Sequence, residues 1–335
     1  MSDPIVSVII STYNSEKFMR GRLENLIGQT IFHKMEIVVV NSGSRENEER
    51  IVHEYVAAYP NILYTSTIQR ETIYRAWNRG IAVSRGQYIT NANTDDILRN
   101  DALEVLASAL DANPGVAMVY ADQYISHIPN QLFADVHNRH RLCRPPFSRI
   151  ALLQGSLAGS QPMWRASLHS ADKLWFDEQL EVAGDYDFAC AVAQKYGMLK
   201  VDDVLGAYYK AKDLSNKEFS NISQTVSEVF TIQEKYGRGY VAALTAAERD
   251  SLFVACSRLM RIPRVFFFLG REVVAKLFPT IHVSSRMFWC WLASLIKEAE
   301  GDIDSAKKCC ISVYRVGSEN LVQRQYARLT TIFMA

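Results

Sequence analysis

Over its first 125 residues the chain alternates short β-branched runs with longer segments of helical period, and few folds other than a layered α/β sheet accept that alternation. "IVSVIIST" (5–12) reads as a strand buried on both faces, and "NSEKFMRGRLENLIGQ" after it as a helix capped by Asn14 or Ser15. "MEIVVV" (35–40) repeats the theme, followed by "SRENEERIVHEYVAAYP", with an acidic first turn and a terminal Pro60. "NILYTST" gives a third strand, and "TIYRAWNRGIAVSRG" a helix stopped by Gly86. "QYITNAN", "NDALEVLASALDANPG" and "VAMVYADQ" continue as strand, helix and strand.

In open sheets of this kind ligands collect at the carboxyl ends of the strands. Three polar clusters fall there: "TYN" (12–14), "NSGS" (41–44) and "NTDD" (93–96). Adjacent carboxylates raise each other's electrostatic cost, so Asp95 and Asp96 need a reason. A diphosphate ligand supplies one, because one carboxylate then coordinates a bridging divalent cation while its neighbour accepts from a ribose hydroxyl. Taken alone, the pair is better read as the N-cap of a helix beginning near Ile97.

Residues 126–180 suggest loops and strands crossing the rim. "AGDYDFACAVAQKYG" reads as a helix entered through Asp185, and "KVDDVLGAYYKA" as a strand pair or a strand plus loop. Beyond "KYGRGY", taken as a glycine break near residue 237, the pattern is helical. "WLASLIKEAEGDIDSAKKCCISVYRVG" has the shape of one helical hairpin turning at Gly301-Asp302, similar to a single tetratricopeptide-like unit. The expected division is a catalytic-type domain over 1–236 and a helical domain over 237–335.

A net charge of +1 gives no global reason to expect nucleic acid. The six cysteines show no metal-ligand spacing, which fits reduced, packing thiols in a cytosolic compartment. The N-terminus has no signal-peptide pattern, and no apolar run reaches the roughly 20 residues of a spanning helix. Arg258, Arg261, Arg264, Arg271, Lys276 and Arg286 are interleaved with aromatics against the single acid Glu272. The favoured reading packs the aromatics as a core with the arginines in water; the other lays the segment on an anionic membrane surface.

The ordered segments "VSVIISTYN", "EIVVVNSGS", "AWNRGIAVSRGQYITNANTDD", "QPMWR" and "GDYDFACAVA", over residues 5–215, resemble the inverting family 2 glycosyltransferases. The fold implied is GT-A, a Rossmann-like mixed sheet flanked by helices that binds nucleotide-diphosphosugars, here with an all-helical C-terminal extension. The resemblance implies that Thr12 and Tyr13 line the base, with Tyr13 stacking on it. It implies that Asn41 stands where an aspartate usually reads the base edge, that Asn78 approaches the nucleotide, and that Arg75 meets a phosphate. For Arg75 a solvated helix-surface arginine is an equal reading. Asn93 replaces the first aspartate of the commoner pattern, leaving Asp95 for the ribose and Asp96 for a Mn²⁺ or Mg²⁺ ion. Asp185 matches the catalytic base, with Asp187 as runner-up and Gly184 where a glutamate is usual. Trp164 suits an acceptor platform or, equally, the core.

The function implied is metal-dependent transfer of a hexosyl or N-acetylhexosaminyl group from a nucleotide-diphosphate donor to a saccharide acceptor. The setting implied is bacterial surface-polysaccharide synthesis in the cytoplasm, with a lipid-linked acceptor and peripheral contact at the inner membrane face as a variant. A rival reading is a degenerate GT-A-like binding module, marked by Asn41, Asn93 and Gly184, with a helical interaction tail. A sugar nucleotidyltransferase would need a Gly-rich basic loop after the first strand, which "STYNSEKF" lacks.

Overall fold

The computed structural model describes residues 3–136, 140–159, 161–213, 216, 221–261, 286–311, 325 and 328. Strands β1 (Val6–Thr12), β2 (Met35–Ser42), β3 (Ile62–Thr67) and β4 (Tyr88–Asn91) alternate with helices α1 (Glu16–Ile27), α2 (Glu48–Ala58) and α3 (Ile73–Val83). Then follow β5 (Ile97–Leu98), α4 (Ala102–Ala112), β6 (Val116–Ser126), β7 (Arg141–Leu142), α5 (Arg149–Leu152), β8 (Met163–Arg165), α6 (Ser167–Ser170), α7 (Gly184–Lys195) and β9 (Gly197–Tyr209).

These strands form one sheet in the order β3-β2-β1-β4-β8-β6-β9-β5, with β7 on β6. The β3-β2-β1-β4 side is parallel and β8 is antiparallel to both neighbours, so the sheet is mixed. β1 and β2 pair in register from Val6↔Met35 to Thr12↔Asn41, which brings "TYN" and "NSGS" to the same rim. Both strands are buried almost throughout, with apolar cores at Val8–Ile10 and Ile37–Val40, because helices cover both faces. One core joins Val8, Ile10, Ile37 and Val39 to Met19, Leu23 and Leu26 of α1 and to Leu103, Leu106 and Leu110 of α4. Burying each of these leucines contributes roughly 1.5–3 kcal/mol relative to exposure.

Several local expectations are corrected. Ile97–Leu98 is a short strand paired with Ala207 and Gly206 of β9, and the next helix begins only at Ala102, so neither Asp95 nor Asp96 caps a helix. "KVDDVLGAYYKA" takes the strand-plus-loop alternative, with 200–209 inside one 13-residue strand and no strand pair. α3 ends at Val83 with Ser84 at its cap, and Gly86 is small for another reason: a Cβ there would lie 2.5 Å from the Ser7 backbone nitrogen. Ser15, not Asn14, holds the cap position of α1; Asn14 has φ 51°.

The chain divides into two compact units, 1–144 with 156–225, and 145–155 with 226–335. The described part of the second contains α5, most of α8 (Ile222–Ala242), α9 (Ala246–Arg261), α10 (Arg286–Ala299) and α11 (Ile303–Ile311). Gly237 and Gly239 lie inside the continuous α8 and do not break it. A Cβ at Gly237 would lie 2.5 Å from the Trp291 ring, so close packing explains that glycine. α10 and α11 form the expected hairpin, turning at Gly301 with φ 78° and burying Ala306 and Cys310. Burial pushes the Cys256 thiol up to about 12 and the Cys310 thiol up to about 11, as suits packing cysteines. Arg258 is exposed, whereas Arg264, Arg271, Glu272, Lys276 and Val313 lie outside the described residues. No described helix is long and apolar enough to cross a membrane.

Candidate active site

The two loops at the carboxyl ends of β1 and β2 are tied together by a residue that reads in sequence only as an acidic first turn of α2. Glu48 is fully buried and accepts from Thr12 Oγ1 at 3.2 Å and the Ser15 backbone N–H at 2.7 Å with Oε1, and from Ser44 Oγ at 2.6 Å with Oε2. A carboxylate that accepts three hydrogen bonds is well matched to burial. The Asn14 side chain completes the link by accepting from the Arg45 N–H at 3.1 Å. Thr12 is therefore part of the rim's frame, with its hydroxyl directed to Glu48.

On the same rim Tyr13 is half-buried, with the Arg70 guanidinium 4.2 Å from its ring centroid. That contact shows that the flat face of Tyr13 is occupied by a cation. Asn41 is 5 % exposed. Its Nδ2 donates to Tyr64 Oη at 3.1 Å and its Oδ1 accepts the Ser44 N–H at 2.9 Å. Ser42 Oγ accepts the Glu71 N–H at 2.6 Å, which fixes the approach to α3.

Asn78 and Arg75 lie along α3. Asn78 donates to Phe176 O at 2.9 Å and Glu178 Oε1 at 3.0 Å and accepts the Phe176 N–H at 3.1 Å, so both ends of its amide brace segment 176–178. Arg75 is exposed and faces Glu71 at 3.4 Å and Glu178 at 3.7 Å.

Past the end of β4, Asp96 is 3 % exposed while Asp95 is half-buried. Asp96 Oδ1 accepts the Tyr209 backbone N–H at 2.9 Å, and Oδ2 accepts Asn93 Nδ2 at 3.2 Å. Asn93 thus has a local role that an aspartate would lose, since a second carboxylate there would repel Asp96. Beneath the pair lies Arg22, 1 % exposed, in the apolar stripe of α1. Its Nη1 donates to the Asp96 carbonyl at 3.1 Å and to Asn25 Oδ1 at 3.0 Å, and its Nη2 donates to Gln161 Oε1. Burial pulls the guanidinium down to about 10 against the opposing charges of Asp96 and Asp95. Neighbouring Asn25 holds β5 by accepting the Leu98 N–H at 2.9 Å and donating to Leu98 O at 2.8 Å.

Among the described residues no three His, Cys, Asp or Glu side chains are arranged to hold a metal ion. Asp95 and Asp96 still fit a divalent cation of the kind that takes one or two carboxylates and completes its shell with substrate phosphates.

Asp185 is half-buried in the first turn of α7, one residue inside the helix; Ala183 occupies the cap. The helix dipole favours a carboxylate in that turn. Its Oδ1 accepts the Tyr186 N–H at 2.8 Å. α7 begins against α3, where Tyr74 Oη donates to Val182 O at 2.6 Å, and a Cβ at Gly184 would lie 2.7 Å from the Tyr74 ring. A glutamate at 184 would displace that ring, so the glycine follows from packing. Arg144, near Asp185, donates its N–H to Asp122 Oδ1 at 2.7 Å and its Nη1 to Ser156 O at 3.2 Å. Burial lowers the Arg144 guanidinium, and the charges of Asp122 and Asp185 oppose that shift. Asp187 is 5 % exposed.

Trp164 is not an acceptor platform. It pairs with Ile89 in the sheet, is 1 % exposed, and sits among Phe176, Phe188 and His169. Its Nε1 donates to His169 Nε2 at 2.8 Å, which leaves His169 Nδ1 to donate to Leu174 O at 2.6 Å. No face remains for a sugar.

The family model Glycosyl transferase family 2 matches residues 7–158. Chondroitin synthase of Escherichia coli is 27% identical over 184 residues, covering 55% of this chain and 26% of that protein. The chain spans about a quarter or less of the length of the first curated relatives it matches. In fold it is similar to S. aureus TarS 1-349 in complex with UDP-GlcNAc (TM-score 0.60, 14% identity, 98% of this chain and 91% of that one). It is also similar to the mannosyltransferase PcManGT from Pyrobaculum calidifontis in complex with GDP-Man and Mn2+ (TM-score 0.51, 17% identity, 100% and 82%). The mixed sheet, the polar rim and the family match agree: residues 7–158 match Glycosyl transferase family 2, and the fold is of the GT-A kind.

Proposed function

We propose that the chain transfers a sugar, with inversion, from a nucleotide-diphosphate donor to the hydroxyl of a saccharide acceptor. The observation that carries this reading is the clamped acidic loop: Asp96, held by elements distant in sequence, sits past the carboxyl end of β4 on the rim where "TYN" and "NSGS" meet. In this reading Tyr13 stacks on the base, and the frame built by Glu48 and Asn41 holds the loops around it. Asp95 faces the ribose and, with Asp96, holds a divalent cation that neutralises the departing diphosphate.

The acceptor hydroxyl gives its proton to the Asp185 carboxylate as its oxygen bonds to the anomeric carbon. The bond from that carbon to the phosphate oxygen breaks on the opposite face, and the nucleoside diphosphate leaves with the electron pair. Asp185 is preferred to Asp187 because it is the more exposed of the two. The complexes of the structural relatives with UDP-GlcNAc and with GDP-Man and Mn2+ support a nucleotide-sugar donor and a cation, without choosing the base or the sugar. The polysaccharide synthases among the relatives support a saccharide acceptor.

The test is calorimetric titration of the full chain with UDP and GDP, each with and without Mn²⁺. One nucleotide diphosphate is expected to bind more tightly with the ion; a chain that binds neither is a degenerate module.

A further inference from the structure

Arg22 breaks the pattern of its own helix. The face of α1 that packs on the sheet carries Phe18, Met19, Leu23 and Leu26, and Arg22 falls among them. Sequences that specify a fold depart from the apolar pattern chiefly where function requires it. Burying a guanidinium is costly unless charge and hydrogen bonding are matched. Here the hydrogen bonds go to neutral acceptors: the Asp96 carbonyl, Asn25 Oδ1 and Gln161 Oε1. A brace alone needs no charge, because Asn25, an uncharged amide one turn along α1, already ties the helix to β5 at Leu98. What Arg22 adds is a fixed positive charge beneath two adjacent carboxylates.

We propose that Arg22 is a positioning residue that acts as a built-in counter-charge to Asp95 and Asp96. It holds the acidic loop in shape without an ion and weakens the pair's own grip on a divalent cation. The ion is then held firmly only when the donor's diphosphate adds its oxygens, and it is released with the product. This inference rests on the proposed metal role of Asp95 and Asp96.

The test titrates Mn²⁺ alone into the full chain and reads the free ion by electron paramagnetic resonance. The chains compared are the wild type, Arg22→Gln, Arg22→Lys and Asp95→Asn. Removing a nearby positive charge is expected to tighten Mn²⁺ binding in Arg22→Gln on the order of tenfold. Arg22→Lys, which keeps the charge and loses the planar fork, is expected to bind like the wild type, and Asp95→Asn to lose binding. A merely structural arginine predicts the opposite sign: weaker or unchanged binding in a folded Arg22→Gln. That result, with Mn²⁺ still bound through Asp95 in the wild type, overturns the proposal alone. If neither the wild type nor Arg22→Gln binds Mn²⁺ alone, the proposal is overturned; if Mn²⁺ also fails to bind in the presence of a nucleoside diphosphate, the metal reading falls with it. If Arg22→Gln does not fold, Arg22→Met is measured in its place. Failure of both neutral variants to fold while Arg22→Lys folds assigns Arg22 to stability and overturns the proposal.

Discussion

The backbone N–H of Tyr209 donates to Asp96 Oδ1 at 2.9 Å across 113 positions of sequence, so the last residue of β9 fixes a carboxylate that follows β4. Asp96→Asn keeps an oxygen for this hydrogen bond and removes the charge. Stability is expected to fall by about 1–3 kcal/mol, because the second oxygen, which accepts from Asn93 Nδ2, becomes an NH2 group. Sugar transfer is expected to fall by about 10²–10³-fold, as when an electrostatic stabiliser of a leaving group is lost. Thermal unfolding and steady-state kinetics on the same preparation check both halves.

Asp185→Asn is expected to reduce kcat by about 10²–10⁴-fold, the usual worth of a general base. Nucleotide affinity should not change, because Thr12 is held by Glu48, and Asn41 by Tyr64 and the Ser44 N–H. Asp187→Asn should cost less activity than Asp185→Asn. The reverse order of the two variants would move the base to Asp187.

Glu48→Gln replaces a group that accepts three hydrogen bonds by one with a single acceptor oxygen. Loss of about 1–3 kcal/mol of unfolding free energy is expected. Nucleotide binding should weaken with it, since Glu48 joins the two loops that would hold the base. Denaturant titration and calorimetry read the two effects separately.

His169 gives a pH signature of the core. Burial lowers its imidazole from 6.5 to about 4, so the folded protein keeps it neutral where the unfolded chain takes up a proton. Its contribution is complete above pH 6.5 and is lost as pH falls from there to about 4. The loss amounts to about 3 kcal/mol. His169→Gln should flatten the difference in unfolding free energy between pH 7 and pH 4 by that amount. Equal pH slopes for the two proteins would contradict the assignment.

Trp164→Phe is expected to cost about 1–3 kcal/mol of stability through lost packing and the lost hydrogen bond to His169. The KM for the acceptor should be unchanged. A selective rise in that KM without a stability loss would return Trp164 to the acceptor site.

The parallel half of the sheet was legible because β1 and β2 are buried on both faces and leave unbroken apolar runs, and because polar residues mark their carboxyl ends. β5 was not, since a two-residue strand carries no period and exists only through pairing with β9. Trp164 was ambiguous because a tryptophan's stacking face looks the same in sequence whether it meets a sugar or Phe188. Glu48 looked like an ordinary acid in a helix's first turn, and its role depends on loops that converge only in three dimensions. Arg22 did leave a trace, as a charge in an apolar stripe, which an examination of exceptions to the α1 pattern would find. Gly184 and Asn93, which looked like losses relative to the commoner pattern, are accounted for by contact with the Tyr74 ring and by the hydrogen bond to Asp96.

The central claim is tested most directly by the release of nucleoside diphosphate from a panel of UDP- and GDP-sugars, with saccharide acceptors, by wild type, Asp96→Asn and Asp185→Asn. The account predicts release from one donor class that depends on Mn²⁺ or Mg²⁺ and is lost in both variants. Release that survives both substitutions, or a wild type that binds and turns over no nucleotide sugar, would contradict it.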